Sequence, residues 1–137
     1  KRLLSSYHGH FDFIRENITE DDYMNFQPIE WLFIEDEPWH QGRVIAIGDA
    51  VHAVPPLIAQ GAAQCSEDAY LLVDYITRDG DMEQLLTEFT NRRKERVKIV
   101  VDASMQLVEW EIHPDTPGAN PGMLMGQAMG ALTAPAF

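Results

Sequence analysis

The residues best suited to chemistry lie between Gly48 and Ala63. Asp49 directly follows an apolar run that ends at Gly48, and its carboxylate is an acceptor suited to the hydroxyls of a sugar or polyol. Gly61 opens a segment with a helical pattern, and the first backbone N–H groups of a helix have no partner within it. Those donors and the helix dipole favour a ligand group that carries negative charge. The two features together predict a ligand with a hydroxylated chain at one end and an electron-rich carbonyl at the other.

A buried strand and a helix are needed to position these residues. The run at 43–47 is apolar without alternation, which is typical of a central strand of a parallel sheet, buried on both faces. Open α/β sheets bind ligands beyond the carboxyl ends of such strands, where Asp49 stands. A long connection with two prolines leads to a helix predicted from about Ala62 to Ile76. The predicted inward stripe of this helix is Cys65, Ala69, Leu72, Val73 and Ile76.

The rest of the chain supplies further helices and one strand. Residues 3–18 carry a helical stripe weakened by Gly9, and residues 27–35 favour a strand through their aromatic and β-branched content. A helical period holds from Met82 to about Trp110, which predicts one long helix. From His113 the sequence becomes rich in proline and small residues, which predicts a looser tail.

The middle of the chain also carries a longer pattern. It has Gly-Arg-Val at 42–44, Gly-Asp-Ala-Val-His at 48–52, a proline at 56, Ala-Gln-Gly-Ala at 59–62 and Glu-Asp-Ala at 67–69. This block resembles the second flavin-binding motif of the single-component FAD-dependent aromatic hydroxylases, the group with salicylate, 3-hydroxybenzoate and 6-hydroxynicotinate hydroxylases. The resemblance implies an α/β fold, the C-terminal part of a Rossmann-like FAD-binding monooxygenase fold. That part would have one buried parallel strand, a flavin-contacting helix and a long C-terminal helix.

The resemblance also implies roles for the matched residues. Asp49, next to Gly48, would accept a hydrogen bond from the ribityl chain of FAD, and Pro56 would lie beside the isoalloxazine ring. The pyrimidine edge of the flavin would face the backbone of Gly61, Ala62 and Ala63, where a helix N-terminus stabilises negative charge. Trp31 and Phe33 alternate on the predicted strand, so lining a substrate pocket and packing within the sheet are both open to them. No catalytic acid or base and no metal ligand is assigned.

Other reactive residue types favour structural roles. No second ligand follows His52 at metal spacing, so it is predicted to be a histidine packed in the loop. Cys65 falls on the predicted inward stripe and is expected to be an inert core thiol. Glu67 and Asp68 are expected to offset the dipole of their helix. The basic residues at 92–98 are expected to form an exposed helix face that pairs with carboxylates.

Charge and cysteine content exclude several classes of function. The chain has 22 acidic and 10 basic residues, a formal net charge of −12, which disfavours binding to nucleic acid and to an anionic membrane surface. No apolar run is long enough for a transmembrane helix. Cys65 is the single cysteine, so a reducing compartment, and hence a cytoplasmic location, is expected.

The resemblance implies an FAD-dependent monooxygenase that hydroxylates a small aromatic compound with NADH or NADPH and dioxygen. A related epoxidase or halogenase stays open, as does a non-catalytic piece that pairs with a separate flavin-binding chain. The family's Gly-x-Gly-x-x-Gly phosphate turn is not found in this sequence. We therefore expect a C-terminal portion, inactive alone and completed by a missing N-terminal part or a companion chain, with homo-oligomerisation left open. The expected segments are the end of a substrate domain (1–42), an FAD-binding segment (43–112) and a Pro/Gly/Ala-rich tail (113–137).

Overall fold

A computed structural model describes residues 2–19, 22 and 27–135. The helices are a 3-10 helix at Arg2–Leu4, α1 (His10–Asn17), α2 (Asp49–His52), a 3-10 turn at Pro56–Ile58, α3 (Gly61–Ile76), α4 (Met82–Ile112) and α5 (Pro121–Leu132). Two short strands, β1 (His40–Gln41) and β2 (Val44–Ile45), pair antiparallel. Among the described residues, no helix combines the length and apolar character that crossing a bilayer requires.

The long helix α4 organises the packing. Its start is fixed by Asp81, whose side chain accepts a hydrogen bond from the backbone N–H of Gln84 at 3.0 Å. α3 and α5 both pack against it, and so does the 3-10 turn at Pro56–Ile58. The predicted long helix is confirmed, because an apolar period sustained over 31 residues is a local signal that needs no knowledge of partners.

Two apolar clusters join the elements. The first lies between α3, α4 and the segment before β1, and its buried members are Trp39, Val51, Leu71, Tyr75, Leu85, Phe89, Val97 and Val101. The ring of Phe89 is fully buried there and meets Tyr75 edge-on, with ring centroids 5.9 Å apart. The second cluster joins α4, α5 and the 3-10 turn, and its buried members are Ile58, Val100, Ala103, Leu107 and Ala128.

The prediction of a buried parallel strand at 43–47 is wrong for this structure. Only Val44 and Ile45 lie in a strand, their partner β1 runs antiparallel, and the Val44 side chain is 75% exposed. A continuous apolar run becomes a central strand only when neighbours cover both of its edges and both faces. The described residues supply no parallel neighbour, so the run forms no central strand, and Ile45, Ala46 and Ile47 are only half-buried against the first cluster.

The segment 27–35 is not part of the sheet formed by β1 and β2. Its Leu32 and Ile34 N–H groups donate to the carbonyls of Ala53 and Val51, at 2.8 and 3.0 Å. This alternation is that of a strand edge, but the acceptors belong to α2 and the residue after it rather than to a second strand. The strand predicted at 27–35 is therefore wrong for this structure.

The predicted inward stripe of α3 is shifted by one residue. The buried positions are Gln64, Asp68, Leu71 and Tyr75. Of the predicted stripe, Cys65 and Leu72 are half-buried, whereas Ala69, Val73 and Ile76 are exposed. The spacing was right but the phase was wrong, because two polar residues face α4 where an apolar pattern expects none.

The chain ends also depart from the prediction. The stripe at 3–18 is divided into the 3-10 helix and α1, with Gly9 at a positive φ of 70° between them. The predicted loose tail contains α5, which starts at Pro121 after an Asn120 cap and buries Ala128 against α4.

Candidate functional site

Gly48 and Asp49 form a tight turn at the entry to α2. Gly48 is buried and has φ 62° and ψ −142°, a combination that is essentially restricted to glycine. A Cβ on Gly48 would lie 3.1 Å from Sγ of Cys65, so α3 approaches the turn closely. Asp49 is the first residue of α2, and its side chain is exposed. The turn therefore presents a carboxylate from a backbone position that a larger residue cannot occupy without strain.

The N-terminus of α3 leaves backbone donors available. Gln60 stands at the cap position, and its side chain makes no capping hydrogen bond. The N–H groups of Gly61, Ala62 and Ala63 precede the first intrahelical bond, which runs from Gln64 N–H to the Gln60 carbonyl at 3.0 Å. Ala62 and Ala63 are exposed. This end of α3 can therefore address an anionic or electron-rich group.

The carboxylate and the helix terminus lie at the same end of α3. Oδ1 of Asp49 is 3.7 Å from Sγ of Cys65, and Cys65 stands one turn beyond Gly61. Burial, and then the neighbouring Asp49 carboxylate, raise the pKa of the Cys65 thiol. The half-buried thiol therefore contacts the turn and lies outside the two apolar clusters, which corrects its predicted core location.

The remaining predicted site residues occupy different surroundings. Pro56 is exposed and starts the 3-10 turn, which Ile58 anchors in the second apolar cluster. Phe33 is half-buried and packs against the first cluster, whereas Trp31 is 49% exposed. Of the two aromatic residues suggested for substrate, only Trp31 thus presents much of its ring to the surface.

A buried carboxylate holds the turn in place. Asp68 is fully buried, and its Oδ2 accepts the Gly48 N–H at 2.7 Å and lies 2.6 Å from Nε2 of His52. Its Oδ1 accepts a hydrogen bond from Nε of Arg93 at 2.6 Å. Asp68 therefore joins α2, α3 and α4 at one point, and we call these four residues the Asp68 network.

Arg93 extends this arrangement across α3. The guanidinium is fully buried and donates to Glu67 Oε2 at 2.7 Å, to the Gln64 carbonyl at 3.1 Å and to Gln64 Oε1 at 2.8 Å. Arg96 donates to both oxygens of Glu67, at 2.7 and 2.9 Å, and to the carbonyls of Leu132, which ends α5, and of Ala134. Each carboxylate thus meets an arginine, as buried charges require.

The predicted roles of these charged residues need correction. Glu67 and Asp68 lie in the second turn of α3, beyond the reach of the exposed first-turn amides, and pair with α4 instead of offsetting the helix dipole. The basic face does pair with carboxylates, but Arg93 is buried rather than exposed. A signal was available: Arg93 lies at helical spacing from Phe89 and Val97, both of which are buried.

The predicted packing of His52 is confirmed, but the residue ends α2 rather than lying in a loop. His52 is fully buried and its ring lies 5.4 Å from that of Trp39. Its Nδ1 has no hydrogen-bond partner among the described residues, so Nε2 is the ring nitrogen that pairs with Asp68.

The two carboxylates stay ionised because of their partners. Burial alone would raise the pKa of Asp68, but hydrogen bonds from His52, Arg93 and the Gly48 N–H outweigh it and hold the pKa below its usual value. For Glu67, too, burial acts to raise the pKa, and Arg96 and Arg93 lower it on balance. Both groups therefore couple folding to pH.

We expect the protein to lose stability as the pH falls below about 4, the ordinary carboxyl pKa. A depressed folded-state pKa contributes stability above the unfolded value, and this contribution is lost as the pH falls through the folded value. Urea unfolding between neutral and acidic pH should show a shallower pH dependence for Asp68→Asn than for wild type. Asp102→Asn, at an exposed pair with Lys98, should retain the wild-type slope. Equal slopes for all three proteins would contradict the assignment.

Comparisons with known proteins match the part of the chain that contains this site. Residues 16–104 match a family model described as FAD binding domain. YetM of Bacillus subtilis (strain 168), named as an FAD-dependent monooxygenase, is 36% identical over 119 residues, which cover 87% of this chain and 31% of YetM. The FAD-dependent monooxygenase paxM of Penicillium paxilli is 33% identical over 85 residues, covering 54% of this chain and 18% of paxM.

A third relative, the 2-heptyl-3-hydroxy-4(1H)-quinolone synthase of Pseudomonas aeruginosa (strain UCBPP-PA14), is 38% identical over 76 residues, which cover 53% of this chain and 20% of the synthase. The chain thus spans less than a third of the length of these curated relatives. No solved structure gives a significant match. The family match spans more than half of the chain and includes the Gly48–Asp49 turn, the N-terminus of α3 and the Asp68 network. The chain therefore belongs to the FAD binding domain family.

Proposed function

We propose that this chain forms part of the flavin site of an FAD-dependent monooxygenase that hydroxylates a small aromatic compound with NADH or NADPH and dioxygen. The observation that carries the proposal is the position of Asp49 beside the uncapped N-terminus of α3. An acceptor and a set of backbone donors thus lie at one end of one helix. The family match, and relatives named as FAD-dependent monooxygenases, support the cofactor and the reaction class.

The donors and acceptors present fit the two ends of a flavin. The ribityl chain carries hydroxyl groups, and the exposed Asp49 carboxylate can accept hydrogen bonds from them. The pyrimidine edge offers an electron-rich carbonyl, which suits the N–H groups at the start of α3. Gly61, Ala62 and Ala63 carry small side chains or none, so a planar ring can approach that backbone. Gly48 and Pro56 complete the set that we assign to the cofactor.

Bound FAD would supply the redox chemistry, accepting electrons from a pyridine nucleotide and activating dioxygen. The chain itself would bind and orient. Asp49 would hold the ribityl chain, and the N–H groups of α3 would stabilise negative charge at the pyrimidine edge. Trp31 is the better candidate for contact with an aromatic substrate, because the Phe33 ring is occupied by core packing.

We further propose that other polypeptide completes the site, either the remaining part of the same enzyme or a companion chain. The sequence has no Gly-x-Gly-x-x-Gly turn for the pyrophosphate, and the chain covers 31% of YetM. The apolar run at 43–47 agrees with this, since its Val44 is 75% exposed and such runs are typical of strands with neighbours on both sides. A cytoplasmic location is proposed from the single cysteine.

We expect Asp49→Ala to weaken FAD binding about ten- to a hundredfold, because a hydrogen bond to a charged group contributes about 1.5–3 kcal/mol. The measurement is a flavin titration, by absorbance or fluorescence, of the protein as its gene encodes it. The matched control is Asp36→Ala, which removes an exposed carboxylate from the loop before β1 and should bind like wild type.

Product analysis tests the reaction itself. A new phenolic hydroxyl, formed with substrate-dependent consumption of NADH or NADPH, would support hydroxylation. An epoxide or a halogenated product would favour the related flavin enzymes instead. Unchanged affinity in Asp49→Ala would contradict the role of that carboxylate, and a protein that takes up no flavin would contradict the proposed function as a whole.

A further inference from the structure

We propose that Asp68 is a positioning residue for the flavin site. It fixes the Gly48–Asp49 turn against the first turns of α3, so that the Asp49 carboxylate and the free N–H groups of α3 face a single ligand. The inference rests on the proposed function for the identity of that ligand. The contacts that carry it belong to the protein alone and can be tested without a flavin.

Asp68 contacts α2 at both of its ends. Oδ2 accepts the N–H of Gly48, the residue before α2, and also lies 2.6 Å from Nε2 of His52, the last residue of α2. A helix of four residues has too few internal bonds to hold its own orientation. One carboxylate oxygen therefore fixes the orientation of α2 and of Asp49 at its start.

The buried Gly48 N–H depends on Asp68 as its hydrogen-bond acceptor. Gly48 is buried, so its N–H would be unsatisfied without Asp68, and a buried unpaired donor is costly. The constraint lies one residue from Asp49, which leaves little freedom between the buried anchor and the exposed carboxylate. Arg93 holds the other oxygen of Asp68 from α4 and keeps the anchor itself in place.

A Glu67 variant distinguishes a positioning role of Asp68 from a general effect of lost ion pairs. It belongs to the same set of charges and contacts Arg93 and Arg96, but its hydrogen bonds reach neither Gly48 nor His52. Glu67→Gln should disturb the ion pairs and leave the turn in place. Asp68→Asn removes the charge that attracts the two donors of the turn and α2 as well as Arg93 of α4.

Cys65 provides a reporter of the turn in the absence of flavin. Its Sγ lies 3.7 Å from Oδ1 of Asp49 and is half-covered by the turn, so release of the turn would expose it. Alkylation of Cys65 in the apoprotein can be followed by mass spectrometry of the peptide that contains it. Rates compared at a pH where the thiol is fully ionised report access rather than ionisation.

We expect Asp68→Asn to accelerate Cys65 alkylation about tenfold and to weaken FAD binding about tenfold. Glu67→Gln should remain within about twofold of wild type in both measurements. If Asp68→Asn does not fold, His52 carries the test. His52→Leu removes one donor from Asp68, whereas His52→Gln places an amide N–H near the position of Nε2 and should restore the wild-type rate.

Wild-type alkylation rates in folded Asp68→Asn and His52→Leu would overturn the inference. Faster alkylation with unchanged flavin affinity would also overturn it, because the turn would then have moved with no effect on the cofactor. Failure of the proposed function looks different: it requires that wild type binds no flavin, or that Asp49→Ala binds it as well as wild type does. Faster alkylation and weaker flavin binding in both variants, with His52→Gln like wild type, would support the inference.

Discussion

Arg93→Met should lower the free energy of unfolding by about 3–5 kcal/mol, the cost of breaking a buried ion pair from one side. Met fills a similar apolar volume but donates nothing. Asp68 would keep a buried charge without its arginine, and Glu67 would lose one of its two arginine partners. The Gln64 carbonyl would also lose a donor. Packing is largely preserved in this variant, so the loss would report electrostatics and hydrogen bonding.

Urea unfolding of the encoded protein, followed by circular dichroism, measures this loss. Lys98→Met is the matched control on the same helix, because the Lys98 side chain is 45% exposed and its pairs with Glu35 and Asp102 lie at the surface. The control should unfold close to the wild-type midpoint. An Arg93→Met protein as stable as Lys98→Met would show that the buried pairs contribute no net stability.

Phe89→Ala should lower the free energy of unfolding by a similar amount, about 3–5 kcal/mol, through lost burial and the cavity left behind. Phe89 is fully buried at the centre of the first apolar cluster and meets Tyr75 edge-on. The cluster joins α3 and α4, so the cavity would loosen the contact that brings Asp68 to Arg93. We therefore expect weaker flavin binding as a secondary effect.

Two variants control this experiment. Phe89→Leu keeps most of the apolar volume and should lose clearly less stability than Phe89→Ala. Phe11→Ala removes the same ring from α1, where it is exposed, and should leave the unfolding midpoint close to wild type. Equal midpoints for Phe89→Ala and Phe11→Ala would contradict the position of Phe89 in the core.

Helices were easier to predict than strands in this chain, for a physical reason. A helix makes its hydrogen bonds within one segment, so a sustained apolar period suffices to predict it, as for α4 from Met82 and for α3 from Gly61. A strand needs partners from elsewhere. The run at 43–47 has the composition of a central strand, but the described residues give β2 only a short antiparallel neighbour.

Burial of charge was the feature that pattern analysis missed. Asp68 and Arg93 are 25 residues apart in the sequence, and each alone is typical of a surface. Only when α3 packs on α4 do they meet and become a pair that can be buried. In this packing the buried face of α3 is shifted by one residue from the predicted stripe, so that Gln64 and Asp68 face inward.

By itself the sequence determined the long helix α4, the bounds of α3, and the resemblance to flavin enzymes that the FAD binding domain match supports. These are local patterns, set by spacing along one segment. Only the tertiary structure decided that Asp49 stands beside the start of α3 and that Asp68 anchors it there. Those contacts join residues far apart in the chain, and no local pattern carries the free energy that brings them together.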